Sequence, residues 1–587
     1  MDRTEHHHDE DLEDAGRTRR GRRGLLAAPL VALLLVVPAG AALDGPLNDL
    51  LALGKGEGQV VPRAATQDID DLPFEPTPQV GCAPDDRPEP GIQGRVPAGS
   101  ARNGLFCNAR IVGRHGSAGG FKVHRYVDRT GRECAYYDTA LLFPLNALRV
   151  GAGDSLGVQV LDMTDPTNPR RTAVLTELPM MSPHESLVLN QRRGLLAAVL
   201  GNPATYPGLV SIYDASADCR KPVLKSTRLI ARFGHESGFS EDGRTFYAAG
   251  TATDSLTAID VVDPARPKVL WQGQVSSHGL TLDPDGTRAY VTDTGRGEAA
   301  VLDVHEIEQR KPDPQVREIS RMTWTNASIP QNAIHFTVGG RPYLLEFDEY
   351  TQGTTGGGNR DAVGAGRIID IADETRPRQV ANLRLAVNQP DAHRAAQNDP
   401  GAASPVQGYA AHYCDLDSRV DPTVVACSFI ASGLRVFDIT DLEKPREIAY
   451  VVAPTKAAVE TVGLESSFAM SKPVVVKDRR EVWYTDGASG LSVVRVADRV
   501  WPANRPACTP RTRRFVRLKV PRGAKVRTAS ARLLGRRATV VRRGGRLGVV
   551  VDLRRAAPGT VRLSGTVRTR TGRVVRTVRT FRVCATG

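Results

Sequence analysis

Apolar and polar positions recur in one frame along the middle of this chain. In Gly433-Leu-Arg-Val-Phe-Asp-Ile-Thr-Asp-Leu-Glu-Lys-Pro445, a short run carries apolar residues on both faces, Leu434 and Val436 on one and Phe437 and Ile439 on the other. Two aspartates and a proline follow. The frame returns at Gly157 to Pro169, Ser255 to Pro267 and Ala365 to Pro377. Looser copies lie around Asp214, around Asp303, and from Gly490 to Pro502, where Arg495 replaces the first aspartate. A run apolar on both faces predicts a strand in a sheet packed between two others. Asp438 and Asp441 suit turns in which a carboxylate accepts backbone N–H groups, and Pro445 ends the ladder because it has no donor. The marker positions 162, 214, 260, 303, 370, 438 and 495 are 52, 46, 43, 67, 68 and 57 residues apart. That spacing accommodates four short strands and their loops, so residues 101–504 are expected to form an all-β, seven-bladed β-propeller.

The frame G-L-x-V-x-D-[IV]-[ST]-D-P-x-x-P resembles the LVIVD repeat of extracytoplasmic bacterial β-propellers, over about residues 105 to 502. The resemblance implies the propeller and an address outside the cytoplasm. It implies no particular reaction, since most proteins with this repeat have no assigned activity and a propeller hosts unrelated chemistries.

The flanks differ in kind from the repeats. Residues 1–23 turn from acidic to basic, and residues 24–43 run without a charge, long enough for a hydrophobic helix across a bilayer. The arginines before this run hold the N-terminus inside. The segment therefore reads as a membrane anchor, or as a signal peptide cleaved near Ala39-Gly-Ala41, which would release the protein. Residues 44–100 are rich in Pro, Gly and acids and lack apolar period, the pattern of a flexible linker. Residues 505–587 alternate apolar and polar residues between turns and read as a small antiparallel β-sandwich.

Charge is unevenly spread. The final segment from Arg505 holds 24 Lys plus Arg and a single acid, Asp552; the rest holds 54 basic and 64 acidic residues, and the whole chain is +13. The basic module is expected to attach to anionic cell-wall polymers or an anionic membrane surface. With only Phe515 and Phe581 as aromatics there, stacking on single-stranded bases has no support and no specific nucleic acid is expected. The eight cysteines include no C-x-x-C pair, which speaks against zinc ribbons and thioredoxin-like motifs. Cys414 and Cys427 bracket a hairpin and Cys508 and Cys584 bracket the basic module, so both pairs are candidate disulfides. Cys82, Cys107, Cys134 and Cys219 leave three pairings open. This usage fits an oxidising compartment.

One further regularity carries chemistry. Counting back 25 residues from Asp260 and Asp303 reaches His235 and His278, and 26 from Asp438 reaches His412. His184 and His335 stand 30 and 35 before their markers, and Met470 stands 25 before Arg495. First strands of propeller blades converge on the central channel, so these residues are expected to form a ring at the channel or its mouth. Imidazole and thioether are ligands for copper, and imidazole also suits zinc and iron. Glu185 and Glu236 adjoin two of the histidines as possible bases or ligands, although strand alternation would turn each away from its neighbour. Glu346 and Asp348 share a strand face and read as a solvated strand end. No Walker, G-x-S-x-G, H-E-x-x-H or G-x-G-x-x-G motif occurs in a suitable context. The chain is thus expected to be an exported envelope protein that binds a protein or small molecule at the channel mouth, or acts as a scaffold. The alternative is a metal-dependent, copper-type oxidase using the histidine ring.

Overall fold

The structure is a computed structural model, and it describes residues 58–69, 72–139, 156–200, 208–325, 327–350, 362–402, 408–454, 467–505, 512–521, 523–554 and 559–583. The apolar segment 24–43, with its expected helix, and the cysteines Cys508 and Cys584 lie outside these residues. Among the described residues no helix is long and apolar enough to cross a membrane.

The fold is a β-propeller followed by a β-sandwich. Among the described residues, six sheets each contain an antiparallel four-stranded unit in sequence order and a seventh unit draws its fourth strand from elsewhere, and in each the third strand is one of the marker strands. The sixth is representative: Tyr413–Leu416, Val424–Ser428, Leu434–Asp438 and Arg446–Val452. Every residue of Leu434–Asp438 is buried, as a strand covered on both faces must be. The marker aspartates act as anticipated. Asp438 accepts from the Thr440 amide at 2.8 Å, Asp162 from Thr164 at 2.9 Å, Asp260 from Val262 at 2.9 Å and Asp370 from Ala372 at 3.0 Å. Arg495, the exception, pairs instead with Glu481 at 2.7 Å.

The seventh unit is completed from the other end of the chain. Its fourth strand is Ala109–His115, antiparallel to Gly490–Val496. The segment that leads into the first unit thereby completes the last one, which closes the ring.

Residues 58–108 correct the expected flexible linker. Gln59–Val60 runs parallel to Lys268–Gln274 on the third unit, and Thr66–Asp68 parallel to Arg317–Thr323 on the fourth. The Thr77 amide donates to the Arg384 carbonyl at 2.7 Å beside the fifth unit, and Leu105–Cys107 pairs with Arg446–Val452 on the sixth. The segment is a strap along four successive outer strands. Edge pairing uses main-chain groups alone, so it imposes no apolar period on the sequence.

Among the described residues three disulfides are present, Cys82–Cys107, Cys134–Cys219 and Cys414–Cys427. The first ties the strap to itself, the second links the first and second units, and the third is the anticipated hairpin bridge. They are the mark of a chain folded in an oxidising compartment.

The closing strand passes close to the first unit. An added Cβ at Gly113 would lie 2.1 Å from the carbonyl oxygen of Pro166, a backbone atom that cannot swing aside. Gly113→Ala is therefore expected to force the closing strand off its neighbour and cost about 1–3 kcal/mol, read as a lowered melting temperature. An unchanged melting temperature would show that this approach is not tight.

The C-terminal module packs the sheet Arg513–Arg517, Arg546–Asp552, Val540–Arg543 against the sheet Arg536–Ala538, Val526–Leu533, Gly559–Thr569, Val574–Val583. Leu518, Val549, Val551, Leu553, Leu563 and Val567 form its apolar core.

Candidate functional site at the ring axis

The first strands of adjacent units meet at their starting residues. Lys122 bridges to Lys472 and Glu185 to Glu236, both in parallel. This brings Lys122, His184 and Glu185, His235 and Glu236, His278, Gln331 and Asn332, and His412 and Tyr413 to one place.

The local backbone explains why the alternation argument fails for Glu185 and Glu236. The His235 amide donates to the Ala249 carbonyl at 2.9 Å while the Ala249 amide donates to the Glu236 carbonyl at 3.0 Å. Two residues thus face one, as in a β-bulge, and Thr292 faces His278 and Gly279 in the same way at 2.7 and 3.1 Å. A bulge re-aims adjacent side chains toward the same side. At His184 the chain takes φ +49°, unusual for a residue with a Cβ, and Ser186 turns back onto the Pro183 carbonyl at 2.9 Å. Histidine and glutamate can then both face the axis.

Glu185 is the hub. Its Oε2 lies 3.2 Å from His235 Nε2 and 3.6 Å from His278 Nε2, and its Oε1 lies 3.0 Å from His412 Nε2. Glu349, from the end of the strand Arg341–Glu349, approaches the same imidazoles: Oε2 is 3.0 Å from His412 Nε2 and Oε1 is 3.5 Å from His278 Nε2. His235 Nε2 and His278 Nε2 are 2.7 Å apart. His184 is more peripheral, with Nδ1 4.0 Å from Glu185 Oε2 and its ring between Phe121 and His235.

The far sides of two rings fix their tautomers. His278 Nδ1 is 3.2 Å from the Gln331 carbonyl, and His412 Nδ1 contacts the Met470 carbonyl. A carbonyl only accepts, so each Nδ1 carries the proton, and a neutral ring then presents a bare Nε2 to the cluster. For His412 that lone pair would face two carboxylates, an arrangement that needs a proton or a cation between them. Glu185 Oε2 and Glu349 Oε2 are buried without a hydrogen-bond donor of good geometry.

A second polar group adjoins the hub. Lys122 Nζ is 2.5 Å and Asn332 Nδ2 2.7 Å from Glu236 Oε1, and Lys122 also lies over the Tyr413 ring at 3.9 Å. Tyr413 in turn accepts from Gln331 Nε2 at 2.6 Å. Burial pushes Glu236 up to about 7, with Lys122 opposing the rise and Glu185 adding to it. Burial also pushes His278 down to about 3, helped by His235. Glu185 stays well below the usual carboxylate range because the imidazoles outweigh its burial.

His412 runs the other way: burial opposes its charge, yet hydrogen bonds to Glu185 and Glu349 raise it to about 9. An unfolded histidine titrates near about 6.5. The folded value is the higher, so in metal-free protein this proton stabilises the fold fully below about 6.5 and is lost as pH rises through about 9. Chelator-treated protein is expected to melt progressively lower across that window. His412→Gln should flatten the decline, and a wild-type melting temperature level across it would contradict the proton's placement.

Two expected ring members stand apart. His335 lies further along the strand Ile329–Val338, stacked on Tyr290 at 5.5 Å, and burial lowers it to about 4. This strand is longer than the corresponding first strands, so its ring positions are Gln331 and Asn332, at its start. Met470 lends its carbonyl to His412, while its side chain packs in the apolar core with Phe121 and Phe468. It is no thioether partner of the cluster, which removes the soft donor that pointed to copper. Glu346 and Asp348 are not a solvated strand end; both are buried and paired with Arg367, Asp348 at 2.8 Å. Glu349, on the opposite face of that strand, is the carboxylate that reaches the axis. Lys122 carries no comparable signal in the sequence. His124 Nε2 donates to the Leu187 carbonyl at 2.8 Å and does not join the cluster.

No family model matches the chain, and no curated protein matches it. Among solved structures it is similar to the periplasmic gluconolactonase PpgL of Pseudomonas aeruginosa, at 13% identity over 74% of this chain and 94% of that one, with a TM-score of 0.40. It is also similar to the Cps50 (Swd1) β-propeller domain of Myceliophteria thermophila, at 12% identity over 66% of this chain and 99% of that one, with a TM-score of 0.41. At such identities the likeness is one of fold alone.

Proposed function

We propose that this chain is an exported β-propeller that holds a divalent first-row transition metal at its ring axis and works as a metal-dependent enzyme. His235, His278 and His412 supply Nε2 donors, and Glu185 and Glu349 supply carboxylates. The observation that carries the reading is the environment of His412: Nδ1 contacts a backbone carbonyl, and Nε2 lies 3.0 Å from each of two carboxylates. Metal-bound histidines characteristically donate their second N–H to a carbonyl or carboxylate.

The separations support it. Ligand atoms at about 2.0–2.1 Å from one ion stand about 2.9–3.4 Å from one another, the lower end in five-coordinate and the upper in tetrahedral sites. The close contacts among these five side chains run from 2.7 to 3.6 Å. Imidazole with carboxylate suits zinc or iron(II) better than a copper site built on thioether. The neighbouring Lys122, Glu236 and Asn332 are polar groups that a purely structural ion would not require, and they favour an enzyme over a scaffold. Metal analysis of protein purified without an affinity tag tests the reading: about one equivalent of metal in the wild type, lost in Glu185→Gln.

A further inference from the structure

The C-terminal sandwich carries a face that the axial cluster does not use. Its larger sheet sets Arg532 opposite Ser564 and Ser564 opposite Val578; the next rows are Ser530, Thr566, Arg576 and Thr528, Arg568, Val574. Along Gly559–Thr569, Leu563 and Val567 turn inward to the core, so Arg562, Ser564, Thr566 and Arg568 share the outer face. Arg532, Arg562, Arg568 and Arg576 are all exposed. Asp552, the one acid of the module, belongs to the other sheet and is taken by Arg554 at 2.6 Å.

Apolar side chains stand among these cations. Leu534, at the turn between Val526–Leu533 and Arg536–Ala538, is 60% exposed with φ +50°, and Arg532, Arg536 and Arg537 around it are exposed too. Val574 and Val578, on the arginine-bearing face, are 42% and 49% exposed. The Leu534 amide donates to the Arg562 carbonyl at 3.0 Å, which fixes the turn at the Arg562 end of that face.

We propose that this face docks on an anionic lipid bilayer, with the guanidinium groups on lipid phosphates and Leu534 inserted into the interface. Cations attract such a surface, and an apolar tip ringed by arginine gains by leaving water for the headgroup boundary. A soluble polyanion would use the same arginines but leave Leu534, Val574 and Val578 in water. The apolar residues therefore favour the bilayer over a cell-wall polymer or a nucleic acid. The inference stands apart from the metal reading, since it uses none of those residues.

The test is sedimentation of the full chain with phosphatidylcholine vesicles, with and without phosphatidylglycerol, at low salt. The N-terminal segment is the same in every variant, so differences between variants report the C-terminal face. Replacing Arg532, Arg562, Arg568 and Arg576 together by Gln is expected to weaken binding to the anionic vesicles by about tenfold or more. Leu534→Asn, which tolerates the left-handed backbone, should weaken it by about threefold to tenfold. The same Leu534→Asn protein should bind soluble polyphosphate as the wild type does. All these positions are exposed, so melting should be unaffected. Wild-type vesicle binding by the arginine variant would overturn the proposal, and wild-type vesicle binding by Leu534→Asn would reassign the face to soluble polyanions.

Discussion

Glu185→Gln is expected to empty the axial site. Glu185 contacts all three of His235, His278 and His412, through oxygens 3.2, 3.6 and 3.0 Å from their Nε2 atoms. The substitution keeps the shape of the side chain and removes its charge, so the loss reads the carboxylate rather than packing. Disturbing an outer-shell partner of a metal already costs about 10–100-fold in affinity, and loss of a charged ligand should exceed that. Stability offers an independent readout. A metal present at about a thousandfold over its Kd stabilises the folded protein by about 4 kcal/mol. Wild-type protein should therefore melt several degrees higher with metal than with chelator, and Glu185→Gln should melt alike in both. If no metal is held, Glu185 is simply the counter-ion of a protonated His412. The substitution would then lower the melting temperature equally with metal or chelator, and wild-type protein would contain no bound metal. That result would remove the proposed function while leaving the bilayer docking intact.

How much of the fold is legible in the sequence follows from where each signal is stored. Leu434, Val436, Phe437 and Ile439 announce their strand because burial on two faces must be written in adjacent residues. Asp438 and its equivalents announce the turn because an aspartate-capped turn is closed within two residues. His184, His235, His278 and His412 were found because near-equivalent units carry matching residues to one axis. His335 broke that count: the first strand of its unit is extended, so the axial positions precede it. Strand alternation speaks against Glu185 and Glu236, but the left-handed backbone at His184 and a two-against-one bulge at His235 suspend it. Glu349 was hidden by its origin on a second strand, where no repeat register marks it. The strap left least trace of all, since pairing through main-chain groups asks little of its side chains. Its acids and prolines read as a linker, although Glu89 sits in a buried ion pair.

That ion pair provides the largest expected loss of stability away from the axis. Arg435, in the second position of the marker strand, is wholly buried; its guanidinium lies 2.7 Å from Glu89 of the strap and 3.0 Å from Glu447 of the adjacent strand. It also lies over the Tyr450 ring at 4.4 Å, while the Tyr450 hydroxyl accepts from the Glu89 amide at 2.7 Å. Removing one member of a buried ionic group leaves uncompensated charge and costs about 3–5 kcal/mol, whereas neutralising the whole group is often tolerated. Arg435→Met is thus expected to melt far below the wild type, and adding Glu89→Gln and Glu447→Gln to it should recover much of the loss. The pH dependence separates this cause from a plain packing defect. Burial already pushes Glu447 up to about 7, with Arg435 opposing the rise. Without the guanidinium the carboxyl is raised further. A carboxyl whose folded pKa exceeds its unfolded value stabilises the fold when protonated, and that contribution is lost as pH rises through the folded pKa. The deficit of Arg435→Met should accordingly be small in acid and grow as pH rises past neutrality, together with faster proteolysis of the strap near Glu89. A deficit constant with pH would assign the loss to packing over Tyr450 instead of to the charges.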